Sequence, residues 1–300
     1  MSNFFSSFYK KNRKIKRIQR PIFIIGCGRS GTKLLCDLIK THPDIRETQG
    51  SPDGEDHVGW IKHGKAIISG LGSTPEISRG HTGFDMCLSM DESHVNNEII
   101  KEMHNYYSKT VLKGDYSKRI INKNPHLSNK LRYVKSIFPD AKFIHIIRDC
   151  LSVVASWKKI MTLQNKQVIF LPDNKWPCLW VLDAPEDENR DELFKNEKIF
   201  PGGGGVTLLA EYWIQINKNI EEQCIDFMDQ LKVVRYEDLI DRPDAILKDL
   251  YSFCDLPGKV IINDHIYKNT DKKHQHLLCN NEIQTVLRKS KKIRHKFGYI

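Results

Sequence analysis

Apolar and polar positions along the chain follow two alternating periods, which predict strands followed by helices. Residues 21–26 (PIFIIG) form a short apolar run that ends in glycine, as a buried parallel strand does. In residues 32–41 leucine and isoleucine fall on one helical stripe, so we expect a helix directly after the glycine turn. The folded part of the chain therefore begins with a strand, a glycine turn and a helix.

The same alternation continues downstream. We expect further strands at 44–49, 119–123, 141–147 and 231–235. We expect further helices at 94–112, 127–138, 150–161, 206–228 and 243–254, and a polar loop at 50–59. Strands that alternate with helices indicate a parallel sheet covered on both faces. The predicted fold class is α/β, a single P-loop-like domain with a parallel sheet flanked by helices on both faces.

Residues 162–205 interrupt this rhythm. They contain Trp176, Trp180, an acidic cluster and four consecutive glycines, without the apolar periodicity of a separate core. We predict an insertion or lid here, in which the two tryptophans form an aromatic wall or pack on the core. The predicted organisation is a basic tail over 1–20 and one domain over 21–300 that ends in a basic segment over 288–300.

Composition narrows the class of protein. The 300 residues are 40% hydrophobic and 28% charged, as in soluble globular proteins. No segment approaches the roughly 20 apolar residues that span a bilayer, and the N-terminus has no apolar core of a secretory signal. The eight cysteines form no C-x-x-C pair and no zinc-site spacing, which favours a reducing cytoplasm.

The net charge of +10 is concentrated at the two ends. Residues 1–20 hold seven Lys/Arg and residues 288–296 hold six, without an acid in either stretch, so the body between them is slightly acidic. We interpret the ends as solvated tails. Such a body does not indicate a dedicated nucleic-acid protein, although the tails allow peripheral contact with an anionic membrane surface.

The stretch FIIGCGRSGTKLL (23–35) fits three kinds of anion loop. Its glycines match the dinucleotide pattern G-x-G-x-x-G, which gains from Glu47 as a ribose-binding acid. The nucleoside triphosphatase pattern requires Lys followed by Ser/Thr, whereas here Lys33 arrives one place late and is followed by Leu. A third interpretation depends on Arg29. In all three, free N–H groups at a glycine turn and helix N-terminus predict a bound phosphate or sulfate.

A series of motifs favours the third interpretation. In order along the chain they are GCGRSGT (26–32), THPDI (41–45), NKNP (122–125), FPDAKFIHIIRDCLSVVASW (138–157), VVRYEDLIDRP (233–243) and a terminal FGY. Together they resemble the sulfotransferase superfamily, which transfers a sulfuryl group from 3′-phosphoadenosine 5′-phosphosulfate (PAPS). NKNP is similar to the N-K-D-P of its tyrosylprotein branch. The resemblance implies PAPS as cofactor, PAP as product and no required metal.

Because PAPS carries two separate anionic groups, it needs two anion sites, and the sequence offers two. One is the loop from Arg29 to Thr32 and the other is Arg148 with Ser156. The resemblance implies that Lys123 stabilises the sulfuryl oxygens and that Tyr236 contacts adenine, while Arg29 is catalytic at the leaving phosphate. The full set of implied cofactor-binding residues is Gly28, Arg29, Ser30, Gly31, Thr32, Lys33, Arg148, Ser156 and Tyr236.

A hydroxyl acceptor also requires a general base. The resemblance places it in the loop after the second strand, where Glu55 is our first choice and Glu47, Asp56 and His57 are alternatives. For the acceptor we favour a carbohydrate or glycan, then a tyrosyl peptide, then a small-molecule hydroxyl. The rival functions are a P-loop nucleotide kinase or triphosphatase and a non-enzymatic, basic-tailed binding module.

Overall fold

Five parallel strands form the central sheet. The computed structural model describes residues 17–48, 55–66, 90–163, 166–170, 179–183, 206–260 and 275–299. The strands in these residues are β1 (Ile22–Ile25), β2 (Ile45–Glu47), β3 (Arg119–Lys123), β4 (Lys142–Ile147), β5 (Lys166–Phe170), β6 (Leu179–Asp183) and β7 (Leu231–Arg235). The sheet has the order β2-β3-β1-β4-β7, and every neighbouring pair in it is parallel.

The chain leaves β1 toward β2 on one side of the sheet and later places β4 on the other side. The carboxyl end of β1 is therefore a topological switch point, where ligands bind in open α/β sheets. In the register, Ile24 of β1 lies between Lys123 of β3 and Ile144 of β4. The residues that follow β1, β3 and β4 consequently meet at one edge.

Helices cover both faces of this sheet. They are α1 (Thr32–Ile39), α2 (His57–Lys62), α3 (Asn97–Tyr107), α4 (Leu131–Ile137), α5 (Cys150–Leu163), α6 (Val206–Cys224), α7 (Tyr236–Asp241), α8 (Pro243–Phe253) and α9 (Asn280–Lys296). Among the described helices, none is both long and apolar enough to cross a membrane.

Alternate residues of β1 enter two separate hydrophobic cores. Ile22 and Ile24 pack in the core shared with α1, α7 and α8. Phe23 and Ile25 face the larger core, which contains residues of α3 to α6. Because side chains alternate across a strand, a sheet buried on both faces requires apolar residues at every position, as IFII shows. The predicted α/β class is confirmed.

One loop prediction and two helix predictions need correction at their boundaries. The predicted loop over 50–59 contains the start of α2, because Asp56 Oδ1 accepts a hydrogen bond from the Gly59 N–H at 2.8 Å and caps the helix. The predicted helix over 94–112 divides into α3 and a π-turn at Ser108–Leu112. The predicted helix over 127–138 begins as a 3-10 turn at Pro125–Asn129, before α4.

The predicted insertion at 162–205 contains regular structure. Strands β5 and β6 pair antiparallel, with Lys166 opposite Asp183. Trp176 and the side chain of Trp180 lie outside the described residues, so the predicted aromatic wall stays a prediction. The same holds for residues 1–16 of the basic tail.

The basic C-terminal segment is not a solvated tail. Residues 288–296 belong to α9, which packs on α5 and α6 and buries Val286, Ser290, Ile293 and Arg294. The apolar positions among the lysines recur at helical spacing and supply a buried stripe. Arg294 Nε donates to Asp149 Oδ1 at 2.7 Å, which fixes α9 to the segment after β4.

Replacing Arg294 by Met should lower the free energy of unfolding by about 2 kcal/mol, because Asp149 would keep its charge in a largely buried place without this partner. Chemical denaturation measures the change. The control is Lys296→Met, since this lysine on the same helix pairs with Glu221 but is 56% exposed, and we expect a loss below about 0.5 kcal/mol. Equal losses in both variants would contradict the assigned role of Arg294.

Candidate active site

The carboxyl edge of the sheet gathers the predicted site residues from four strands. The loop 26–31 follows β1, Lys123 ends β3, Arg148 follows β4, and Tyr236 follows β7. Their convergence requires only that the strands run parallel, because parallel strands end on the same edge. The structure thus brings together groups separated by more than two hundred residues.

The glycine loop forms a cradle of backbone groups. Gly31 has φ of +95°, and a Cβ there would overlap the ring of Tyr236. Helix α1 begins at Thr32 without a side-chain cap, so its first N–H groups remain available to a ligand. Ser30 is fully buried, and its Oγ has no hydrogen-bond partner among the described residues. These features fit an anionic group held by Ser30, Thr32 and the loop amides.

Two arginines flank this cradle. Arg29 has φ of +72°, and its Nε donates to Ser156 Oγ at 3.2 Å. Arg148 is 8% exposed, donates to the carbonyl oxygen of Arg29 at 3.4 Å and lies 4.4 Å over the ring of Tyr236. The sequence pairs Ser156 with Arg148, whereas in the structure Ser156 contacts Arg29. The two predicted anion sites are therefore continuous.

Glu55, His57 and His126 form a cluster beside Lys123, which is 3% exposed. Lys123 Nζ donates to Glu55 Oε1 at 2.8 Å. The other carboxylate oxygen, Oε2, lies 3.0 Å from His57 Nε2 and 3.7 Å from His126 Nε2. The structure brings Glu55, the first-choice base, into direct contact with the predicted catalytic lysine.

This cluster keeps Glu55 ionised. Burial favours the neutral carboxyl, but the hydrogen bond from His57 and the charges of His126 and Lys123 outweigh it and lower the pKa of Glu55 to about 2. Burial also lowers the pKa of His126 to about 3, so His126 is neutral at neutral pH. The charge of Lys123 acts on Glu55 through their direct contact.

Two of the alternative bases, Glu47 and Asp56, are engaged elsewhere. Glu47 Oε2 accepts a hydrogen bond from Lys40 of α1 at 3.0 Å. Asp56 caps α2 and also accepts a hydrogen bond from the Tyr106 hydroxyl at 3.1 Å. His57 stays beside Glu55. Lys33, implied as a cofactor ligand, is 65% exposed and pairs with Asp37 at 3.2 Å, so contact with a ligand would require that ion pair to open.

Sequence reasoning missed three residues that shape the site. His126 directly follows the NKNP motif, which is the signal that could have identified it. Trp157 lies under the Arg29 guanidinium at 5.9 Å. Ser128 Oγ accepts a hydrogen bond from the Gly26 N–H at 3.0 Å and fixes the start of the loop, a contact over 102 residues without a local signal.

Comparisons with known proteins identify the family of this chain. The family model described as "Sulfotransferase family" matches residues 21–173. The chain is similar to protein-tyrosine sulfotransferase 1 of Danio rerio, with 25% identity over 81% of this chain and 55% of that protein. It is also similar to the protein-tyrosine sulfotransferase of Drosophila melanogaster, with 24% identity over 86% of this chain and 41% of that protein. The chain thus spans about half the length of these relatives.

Among solved structures, the chain resembles the sulfotransferase domain from the curacin biosynthetic pathway. The identity is 16% and the TM-score 0.48, over 95% of this chain and 99% of that one.

The lowered pKa of Glu55 predicts a specific dependence of stability on pH. Its contribution is present above the ordinary pKa of 4.5 and is lost as pH falls toward the folded pKa of about 2. The difference in free energy of unfolding between the wild type and Glu55→Gln should therefore shrink from pH 4.5 downward, as denaturant titrations at several pH values would show. Glu222→Gln, at an exposed position on α6, is the control. A difference that is constant across this window would contradict the assigned environment of Glu55.

Proposed function

The chain belongs to the sulfotransferase family, and from that premise we propose that it moves a sulfuryl group from PAPS to a hydroxyl acceptor. The observation that carries the proposal is the convergence of Arg29, Lys123, Arg148 and Glu55 around one glycine loop. Three cations fit an anionic donor, and a carboxylate fits the deprotonation of a hydroxyl. A single anion-binding turn would support neither the donor nor the acceptor half of the reaction.

The cofactor would lie across the carboxyl edge of the sheet. The loop amides with Ser30, Thr32 and Arg29 would hold the 5′-phosphosulfate, where PAPS supplies the activated sulfuryl group. Arg148 and Ser156 would hold the 3′-phosphate, each being less than 10% exposed. Tyr236 would contact the adenine from its place beside Gly31 and Arg148.

Two residues in direct contact, Glu55 and Lys123, have separate roles in the proposed transfer. The acceptor oxygen forms the new S–O bond while the bond from sulfur to the bridging phosphate oxygen breaks, and PAP leaves. Glu55 takes the proton of the acceptor hydroxyl, and Lys123 and Arg29 stabilise the charge on the sulfuryl and leaving oxygens. When Lys123 turns to the sulfuryl group, its contact with Glu55 weakens and the pKa of Glu55 rises. The base thus becomes stronger when the donor is bound.

For the acceptor we propose the hydroxyl of a tyrosyl peptide in place of the carbohydrate that the sequence favoured. Two relatives that align with 81% and 86% of this chain are named protein-tyrosine sulfotransferases. The chemistry points the same way, because a carboxylate with a pKa of about 2 is a weak base. A phenol, with a pKa near 10, gives up its proton more readily than an aliphatic hydroxyl.

Arg29→Ala and Arg148→Ala should each weaken PAP binding by about 10- to 100-fold, because each loses charge-assisted hydrogen bonds to a phosphate. Calorimetry with PAP, without added metal, measures the affinity, and ATP, GTP and NAD serve as competing nucleotides. Arg242→Ala is the matched control, since this arginine is 61% exposed and pairs with Asp238 on α7. Wild-type PAP affinity in both site variants would overturn the cofactor assignment.

Glu55→Gln should lower turnover by about 100-fold or more while PAP affinity changes little, since only the proton acceptor is removed. The assay uses labelled PAPS with tyrosyl peptides and, in parallel, a panel of oligosaccharides. Labelled peptide supports the tyrosyl acceptor. Label on the sugar alone would favour the carbohydrate acceptor that the sequence predicted. Full turnover in Glu55→Gln would move the base to another residue.

A further inference from the structure

Three side chains near the carboxyl edge of the sheet have their potential metal-ligand atoms close to one another. Oε2 of Glu55, Nε2 of His57 and Nε2 of His126 are the closest, at 3.0 and 3.7 Å from the carboxylate oxygen to the two nitrogens. One ligand atom from each of the three residues lies within 4.8 Å of the other two. The two imidazole rings are nearly perpendicular, at 89°, with centroids 5.1 Å apart. They therefore approach the carboxylate from different directions.

The two distances from the Glu55 carboxylate are close to those between ligands of a tetrahedral metal centre. With metal–ligand bonds of about 2.0–2.2 Å, adjacent ligand atoms in a tetrahedral zinc site lie about 3.4 Å apart. The two distances from Glu55 lie on either side of that value. We propose that Glu55, His57 and His126 form a binding site for a divalent transition metal such as Zn²⁺, and that its occupancy blocks the carboxylate base.

The donor set selects the class of metal. Two imidazole nitrogens and one carboxylate suit Zn²⁺, Co²⁺, Ni²⁺ or Cu²⁺, whereas Mg²⁺ and Ca²⁺ prefer oxygen ligands alone. The surroundings act in the same direction. The ammonium group of Lys123 contacts Glu55. This positive charge disfavours ions that bind through charge alone and leaves those that form strong bonds to nitrogen.

The existing contact between Lys123 and Glu55 is compatible with ligation. Lys123 stays on Oε1 while the metal takes Oε2, so the lysine becomes an outer partner that orients the carboxylate. A metal on Glu55 uses the lone pair that would accept the acceptor proton. This regulatory consequence depends on the proposed sulfuryl transfer, but metal binding itself does not.

The binding test uses the full chain with Cys279→Ser as background, which removes the exposed thiol among the described cysteines. Calorimetry with Zn²⁺ alone and the visible spectrum with Co²⁺ report affinity and tetrahedral coordination. His57→Ala and His126→Ala should each weaken Zn²⁺ binding by at least about tenfold and remove the tetrahedral Co²⁺ spectrum. His94→Ala is the matched control, because His94 is exposed and pairs with a carboxylate, Asp91, outside the cluster. It should bind as the background does.

Thermal unfolding shows whether each variant is folded, and His126→Asn provides a second, polar replacement with the same expected loss. Zn²⁺ affinity that is unchanged in folded variants of both histidines overturns the site. In the sulfuryl-transfer assay, the midpoint of Zn²⁺ inhibition should equal the measured Kd and EDTA should reverse the inhibition. Zn²⁺ binding without inhibition overturns the blocking role. Zn²⁺ binding with no sulfuryl transfer under any condition counts against the proposed function and supports the metal site.

Discussion

The end of β1 approaches the end of β4 so closely that only glycine fits between them. Gly26 has φ of +145°, and a Cβ there would overlap the carbonyl oxygen of Ile146. The glycine loop therefore starts in contact with the strand that leads to Arg148. Arg148 can then donate to the carbonyl of Arg29, and two guanidinium groups stand beside one loop before a ligand arrives. Donors placed in advance are what stabilises charge during group transfer.

Such a concentration of cations costs free energy in the free protein, and the structure shows how this cost is offset. Arg148 stacks on Tyr236 and its backbone carbonyl accepts a hydrogen bond from Trp213 at 2.9 Å. Lys123 has Glu55. Asp149, the acid next to Arg148 in sequence, is bound by Arg294 of α9. Helix α9 thus binds the carboxylate that is adjacent in sequence to Arg148, a predicted phosphate ligand.

What could be predicted from the sequence is what short-range patterns determine. The strands of IFII, RIINK and KFIHII follow from apolar runs, and the anion loop follows from glycines beside a helix start. The cluster around Glu55 required contacts across 68 residues to Lys123, which no periodicity reports. The burial of α9 was hidden because its apolar stripe lies among lysines and arginines. The capping role of Asp56 was readable locally, but its residue type also suited a catalytic base.

The contact between Lys123 and Glu55 places opposite demands on the same carboxylate. A strong ion pair keeps Glu55 ionised and in place, yet it also makes this carboxylate a weak base. The conflict is resolved if the partner of the lysine changes during the reaction. In the proposed reaction, the sulfuryl oxygens of the donor would offer Lys123 a competing negative charge, while Glu55 would keep its contacts to His57 and His126. In this proposal the proton affinity of the base would be linked to the presence of the donor, and the acceptor hydroxyl would be deprotonated only where a sulfuryl group is ready to receive it.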